Sequence, residues 1–102
     1  MNENIYKLNI PDHLVELIRG LHPHLKKKVR FSLEKVVNAP RTGKALKEEL
    51  AGFYSYRISN FRIIYRISER KVIELVAIGP RRTIYEETLK IIRQEPSTHK
   101  VM

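Results

Sequence analysis

Three arginines and one tyrosine are the residues of this chain whose types and spacing could do chemistry. The sequence of residues 54–67 predicts two strands joined by the two-residue turn Ser59-Asn60, and this spacing sets Arg57 directly opposite Arg62. Like charges directly opposite each other on one sheet face destabilise the sheet. A sequence that keeps the two arginines there indicates a site for an anion.

The same register argument adds Arg81 and Tyr85. The strand that follows the hairpin is predicted to run antiparallel to residues 61–67, so Arg81 is expected beside Asn60 at one end of the sheet. Tyr85 lies in the first turn of the next predicted helix, whose N-terminus contributes free backbone N–H groups and the positive end of its dipole. The candidate catalytic site is therefore Arg57, Arg62, Arg81 and Tyr85.

Guanidinium groups beside a phenol are suited to phosphate chemistry. Arginine stays charged at all relevant pH and binds phosphate through two hydrogen bonds, while tyrosine can stack on a base or transfer a proton. No histidine, aspartate or glutamate is predicted in the cluster, and the four histidines lie on the predicted helices or the tail. We therefore expect no metal and no cofactor. A carboxylate of an acidic protein is the alternative anion.

The charge of the chain points to a polyanionic partner, either nucleic acid or an acidic protein. The net charge is +9 over 102 residues, and residues 51–82 contain seven basic and two acidic side chains. The absence of cysteine excludes disulfides and a cysteine nucleophile and is compatible with the cytoplasm. No apolar run is long enough to span a membrane, so no membrane association is expected.

The pattern of apolar residues predicts an α+β fold with the order βααβββα. A twisted, mainly antiparallel sheet is expected to pack against a helical hairpin, with a further helix at the C-terminus. The first strand is predicted at 4–10 and the later ones at 53–58, 61–67 and 72–78. Residues 1–93 form one predicted domain, and residues 94–102 form a polar tail.

Strict alternation along the strands assigns the two faces of the sheet. Tyr65, Val76 and Ile78 are expected on the main core face, together with the other apolar residues of that alternation. Ile64, Ile73 and Leu75 fall on the opposite face and need cover from the C-terminal helix. Glu74 falls on the core face, where alternation alone gives no reason for a charge.

Four segments together resemble the RelE/ParE superfamily of bacterial and archaeal toxins. They are LKEELAG at 46–52, YRI at 56–58, FRIIYRI at 61–67 and IGPRR at 78–82 followed by Tyr85. The resemblance covers most of the chain, and the predicted βααβββα order agrees with it. It implies a cytoplasmic toxin of a type II toxin–antitoxin system, neutralised by a tightly bound antitoxin that the basic charge predicts to be acidic.

The RelE-like branch implies an endoribonuclease (an mRNA interferase) that cleaves mRNA in the ribosome without a metal, by attack of the 2′-hydroxyl on the adjacent phosphate. Arg57, Arg62, Arg81 and Tyr85 match its residue set, whereas Ser55 stands where some members have a lysine. That departure leaves the general base unassigned. Two alternatives remain: a ParE-like inhibitor of DNA gyrase, which shares the fold without cleaving RNA, and a weakly active scaffold that mainly binds its antitoxin.

Overall fold

The computed structural model describes residues 5–94, which form three α-helices, five strands and two short 3₁₀ turns. The helices are α1 (Asp12–Arg19), α2 (Pro23–Asn38) and α3 (Ile84–Gln94). The strands are β1 (Lys7–Asn9), β2 (Lys44–Ala45), β3 (Phe53–Ile58), β4 (Phe61–Ile67) and β5 (Val72–Pro80). The predicted α+β fold is confirmed, with β2 as one short strand that the sequence pattern did not show. The predicted tail lies outside the described residues, apart from Gln94 at the end of α3.

The five strands form one sheet in the order β1-β5-β4-β3-β2. Strands β2 to β5 pair antiparallel with their neighbours, while β1 pairs parallel with β5. The mainly antiparallel sheet expected from the sequence is therefore confirmed. Strands β3 and β4 have the predicted bounds, and β5 runs two residues further, to Pro80.

Helices cover both faces of the sheet. The α1–α2 hairpin packs on one face, where Leu14 and Val29 of the helices are buried against Ile63 and Tyr65 of β4. Helix α3 covers the other face, where Ile84 is buried against Ile64. The expectation that Ile64 needs the C-terminal helix as cover is confirmed, and this packing fixes α3, with Tyr85 in its first turn, over the sheet.

An irregularity between β4 and β5 corrects part of the predicted face assignment. Ile64 pairs with Ala77 but Tyr65 pairs with Leu75, so the register skips Val76. A bulge of this kind reverses the facing of the residues on one side of it. Ile73 and Leu75 therefore lie in the main core and Val76 lies under α3, opposite to the prediction in each case.

The bulge also explains the position of Glu74. Because the register shifts, Glu74 pairs with Arg66, and its Oε1 lies 2.8 Å from Arg66 Nε in a half-exposed ion pair. Strict alternation placed this carboxylate in the core. The shift instead gives it a charged partner, which removes the cost of an unpaired buried charge.

The hydroxyl of Tyr65 attaches the loop after α2 to the sheet. The ring is fully buried and stacks on Tyr54, with the ring centroids 5.4 Å apart. Its hydroxyl donates to the carbonyl of Pro40 at 2.7 Å and accepts from the N–H of Gly43 at 3.1 Å. These bonds position β2, which pairs with Tyr54 and Ser55 at the edge of β3.

Within residues 5–94, no helix is both long and apolar enough to cross a membrane.

Candidate functional site

The two facing arginines are where the hairpin register places them. Arg57 pairs directly with Arg62, and Ile58 pairs with Phe61, so Ser59-Asn60 is the two-residue turn between β3 and β4. Ser59 has a φ of 53°, the left-handed backbone that such a short turn requires at its first position. The predicted pairing is confirmed.

The two guanidinium groups avoid each other by turning in different directions. Arg57 is exposed, and its Nε donates to the carbonyl of Ser59 at 3.5 Å, at the turn. Arg62 is half-buried, and its Nη1 donates to the hydroxyl of Ser55 at 2.9 Å. Divergence of the side chains relieves much of the repulsion that facing like charges would cause.

Ser55 is the centre of the site. Its side chain is only 2% exposed, and its oxygen lies 2.9 Å from Arg62 Nη1 and 3.1 Å from the phenol oxygen of Tyr85. Since the serine oxygen accepts from Arg62, its own proton is available to the phenol, although either hydroxyl can be the donor of that bond. Ser55 therefore joins the arginine of β4 to the tyrosine of α3.

One donor of Arg62 is left over. Its Nε is buried and has no hydrogen-bond partner within residues 5–94. A buried donor without a partner costs free energy, and for a charged group that cost is larger than for a neutral one. An anionic oxygen beside Arg62 would remove the cost, so this arrangement is suited to binding an anion.

Arg81 lies at the same end of the sheet through its backbone. Its N–H donates to the carbonyl of Asn60 at 2.8 Å, while Gly79 pairs with Arg62 and Pro80 with Phe61. The Arg81 side chain is exposed. The structure therefore brings Arg62 and Tyr85 together through Ser55, and it places Arg57 and Arg81 around them as exposed cations at the same end of the sheet.

The sequence showed Ser55 only as a departure from a lysine and gave no sign of its contacts, and it did not single out Glu87. Glu87 Oε1 lies 3.6 Å from the point that a β-carbon on Gly79 would occupy, so it overhangs the residue paired with Arg62. The signal was weak, since Ser55 only shares a face with Arg57 and Glu87 follows Tyr85 by two positions. Glu87 is therefore the acidic side chain that the structure places beside the strand residue facing Arg62.

The histidines within residues 5–94 make none of the hydrogen bonds described for this site. His22 Nδ1 accepts the backbone N–H of His24 at 3.1 Å and so caps the start of α2. In the described part of the chain, no group of three or more His, Cys, Asp or Glu side chains could hold a metal ion.

Solved structures that share this fold include toxins and toxin–antitoxin complexes. A mutant of the Escherichia coli toxin RelE in the free state matches with a TM-score of 0.70 at 19% identity, covering 86% of this chain and 98% of that one. The RelBE2 complex of Mycobacterium tuberculosis matches with a TM-score of 0.64 at 26% identity, covering 74% and 98% of the two chains. The archaeal RelE–RelB complex of Pyrococcus horikoshii matches with a TM-score of 0.63 at 21% identity, covering 76% of this chain and 96% of that one.

The sequence itself matches a family model. No curated protein sequence matches the chain significantly. The family model described as the ParE toxin of type II toxin–antitoxin systems (parDE) matches residues 8–85, which include all four predicted site residues. Since this match spans most of the 102 residues, the chain belongs to the ParE toxin family of type II toxin–antitoxin systems, within the RelE/ParE superfamily.

Proposed function

We propose that the protein is a toxin that cleaves mRNA on the ribosome, without a metal, and that an antitoxin neutralises it. The observation that carries the proposal is the Arg62–Ser55–Tyr85 chain of hydrogen bonds with the partnerless Nε of Arg62. A fixed cation next to a fixed phenol supplies charge stabilisation and a proton carrier at one place. A ribosomal target also assigns the protein to the cytoplasm.

The proposed reaction is an internal displacement at phosphorus. The 2′-oxygen of a nucleotide loses its proton and attacks the adjacent phosphorus, and the bond from phosphorus to the 5′-oxygen of the next nucleotide breaks. The 5′-oxygen takes up a proton, and the products are a 2′,3′-cyclic phosphate and a 5′-hydroxyl end. Negative charge grows on the non-bridging oxygens in the transition state, where guanidinium groups stabilise it most effectively.

Each residue has a role that fits its position. Arg57 and Arg62 orient the scissile phosphate, with Arg62 held by Ser55, and Arg81 stabilises the developing charge from its exposed position. Tyr85 stacks on a base or transfers a proton. Ser55 replaces the lysine of some relatives as a neutral residue that holds the arginine and the phenol, and the proton from the 2′-hydroxyl then needs a separate acceptor.

The antitoxin partner is inferred from the structural neighbours and the charge. Solved complexes with this fold include RelB–RelE pairs. A net charge of +9 favours an acidic partner, since complementary potentials speed association and exclude wrong partners.

A second candidate function is inhibition of DNA gyrase. The observation that favours it is the family match itself, because the matching model describes ParE toxins. Under this hypothesis the end of the sheet that carries Arg57, Arg62 and Arg81 would bind an acidic protein surface. The side-chain network of Ser55 would then have no chemical role.

Mapping mRNA cleavage on programmed ribosomes separates the two functions. We expect wild type to cut the message. Arg81→Ala should cut it at least about 100-fold more slowly, since loss of one charge-stabilising donor typically lowers the rate 10²–10³-fold. Arg70→Ala, which removes an exposed arginine at the β4–β5 turn, is the matched control and should cut like wild type. An intact message together with arrested gyrase supercoiling would overturn the nuclease proposal.

A further inference from the structure

We propose that the outward face of α2 around Phe31 is a second RNA-binding surface, which holds a single-stranded segment extending from the site at the β3–β4 turn. This proposal rests on the proposed function, because the RNA would be the strand that is cleaved. It adds a binding surface to a site that otherwise holds one phosphate.

Phe31 is an exposed aromatic ring on a basic helix face. Its side chain is 60% exposed, and the Nζ of Lys35 lies 5.3 Å from the centroid of its ring. Lys27 and Lys28 precede it by four and three residues, so they lie on the same face of α2. Single exposed apolar residues are common on protein surfaces, but an aromatic ring among lysines is the arrangement that binds stacked bases and their phosphates.

A hydrogen bond connects this face to the candidate site. Lys28 Nζ donates to the hydroxyl of Ser59 at 3.1 Å, and the carbonyl of Ser59 accepts from Arg57. The next residue, Asn60, accepts from the N–H of Arg81. The β3–β4 turn is therefore bound by a cation of α2 and by a cation of the site, so a negatively charged chain that passes around the turn would meet both.

The chemistry of the face favours RNA over an acidic helix. An amphipathic helix of a protein partner needs an apolar stripe to pack against. The exposed face of α2 offers one large apolar ring, Phe31, and around it lie basic side chains, the imidazole of His24 and one carboxylate, Glu34. One ring among cations matches one stacked base with phosphates on either side.

Binding of a fluorescently labelled single-stranded RNA oligonucleotide to the whole chain tests the proposal. We expect Phe31→Ala to weaken binding about 5- to 150-fold, the range for loss of one base-stacking contact, and Phe31→Trp to bind like wild type. Lys28→Ala should flatten the dependence of log affinity on log salt by about 0.7, the loss of one phosphate contact to a single strand. Lys90→Ala, an equal charge change on α3, should bind RNA like wild type.

The outcomes separate this surface from the nuclease site. If wild type cuts mRNA on ribosomes but Phe31→Ala binds RNA equally well, the α2 surface is refuted and the proposed function stands. If wild type does not cut but RNA binding still depends on Phe31, the proposed function is refuted, and α2 binds RNA that is not a strand to be cleaved. Loss of affinity for a polyglutamate peptide rather than for RNA would assign the surface to an acidic protein and overturn the proposal.

Discussion

The hydroxyl of Ser55 and the phenol of Tyr85 lie 3.1 Å apart, although 30 residues separate them along the chain. The bond joins the middle of the sheet to the first turn of the last helix. Ser55 is nearly inaccessible to solvent, so its hydroxyl is held in place by its two partners. The position of the phenol therefore depends on a serine that would itself never touch the RNA.

Ser55→Ala should slow mRNA cleavage and lower the free energy of unfolding by about 1 kcal/mol, because Arg62 and Tyr85 both lose a partner. As a positioning residue, Ser55 should affect the rate of cutting on the ribosome more than the affinity for it. Single-turnover cleavage and ribosome binding measure the two effects. Ser32→Ala, which removes a buried hydroxyl from α2, is the control and should leave cleavage unchanged. A Ser55→Ala protein that cuts at the wild-type rate would refute this role.

Glu87→Gln should reduce cleavage about 100-fold or more, the usual loss when a general base is removed. Its carboxylate oxygen lies 3.6 Å from the point that a β-carbon on Gly79, the residue paired with Arg62, would occupy, so under the proposed function it would accept the proton of the 2′-hydroxyl. The cleavage rate constant on programmed ribosomes is the measurement. Glu86→Gln makes the same charge change one residue earlier and should be close to wild type. Equal rates for both variants would show that the proton goes elsewhere.

Tyr65→Phe should lower the free energy of unfolding by about 1–3 kcal/mol at neutral pH. The change removes the only group that hydrogen-bonds both the Pro40 carbonyl and the Gly43 N–H among the described contacts, and it keeps the ring. Urea unfolding measures the difference. Tyr6→Phe, a change at a half-buried tyrosine near β1, is the matched control. Equal midpoints for the two variants would contradict the attachment of this loop through Tyr65.

Stability should fall at high pH more steeply in wild type than in Tyr65→Phe. Burial raises the pKa of the Tyr65 phenol above its usual value of 10.0, although the bond from Gly43 acts in the opposite direction. Below pH 10 the phenol is protonated in both states, so its contribution to stability is fully present. Above pH 10 the Tyr65 phenol ionises first in the unfolded state. Its contribution to stability is therefore lost as the pH rises through the pKa of the folded state. The urea unfolding midpoints of both proteins, measured at several pH values from about 9 upward, test this difference in pH dependence. Parallel curves for the two proteins would contradict it.

Gly43→Ala should destabilise the protein by about 1–3 kcal/mol, the usual cost of overpacking. A β-carbon there would lie 2.7 Å from the Tyr65 hydroxyl and 3.0 Å from the Ser55 carbonyl, both of which are fixed. Gly20→Ala is the control, since its nearest neighbours would be 3.7 Å away and its backbone has a negative φ. That variant should be neutral or slightly stabilised. Thermal unfolding of the pair is the measurement, and equal losses would contradict the steric argument.

The sequence was sufficient to predict the features that depend on local pairing. A two-residue turn leaves one register for β3 and β4, so the opposition of Arg57 and Arg62 followed from counting residues. Antiparallel connection then placed Arg81 beside Asn60. These relationships need no knowledge of packing, which is why they were correct.

Features that depend on distant or irregular contacts were not predictable. Strict alternation has no signal for the skipped residue Val76, so the faces of Ile73 and Leu75 were reversed. The bond between Ser55 and Tyr85 requires the tilt of α3 across the sheet, which periodicity does not give. A serine in a lysine position was therefore interpreted as a loss, whereas the structure shows it holding two site residues.

The strand order determines when the site can exist during synthesis. Strand β5, which joins β1 to β4, comes late in the chain, and Tyr85 comes after it, so both this internal strand and the phenol are translated late. Chains are made from the N-terminus, and pairings between distant segments form only when both have emerged. A nascent chain thus carries Arg57 and Arg62 well before it can assemble the Arg62–Ser55–Tyr85 network. The site can therefore form only after the residues through Tyr85 have left the ribosome.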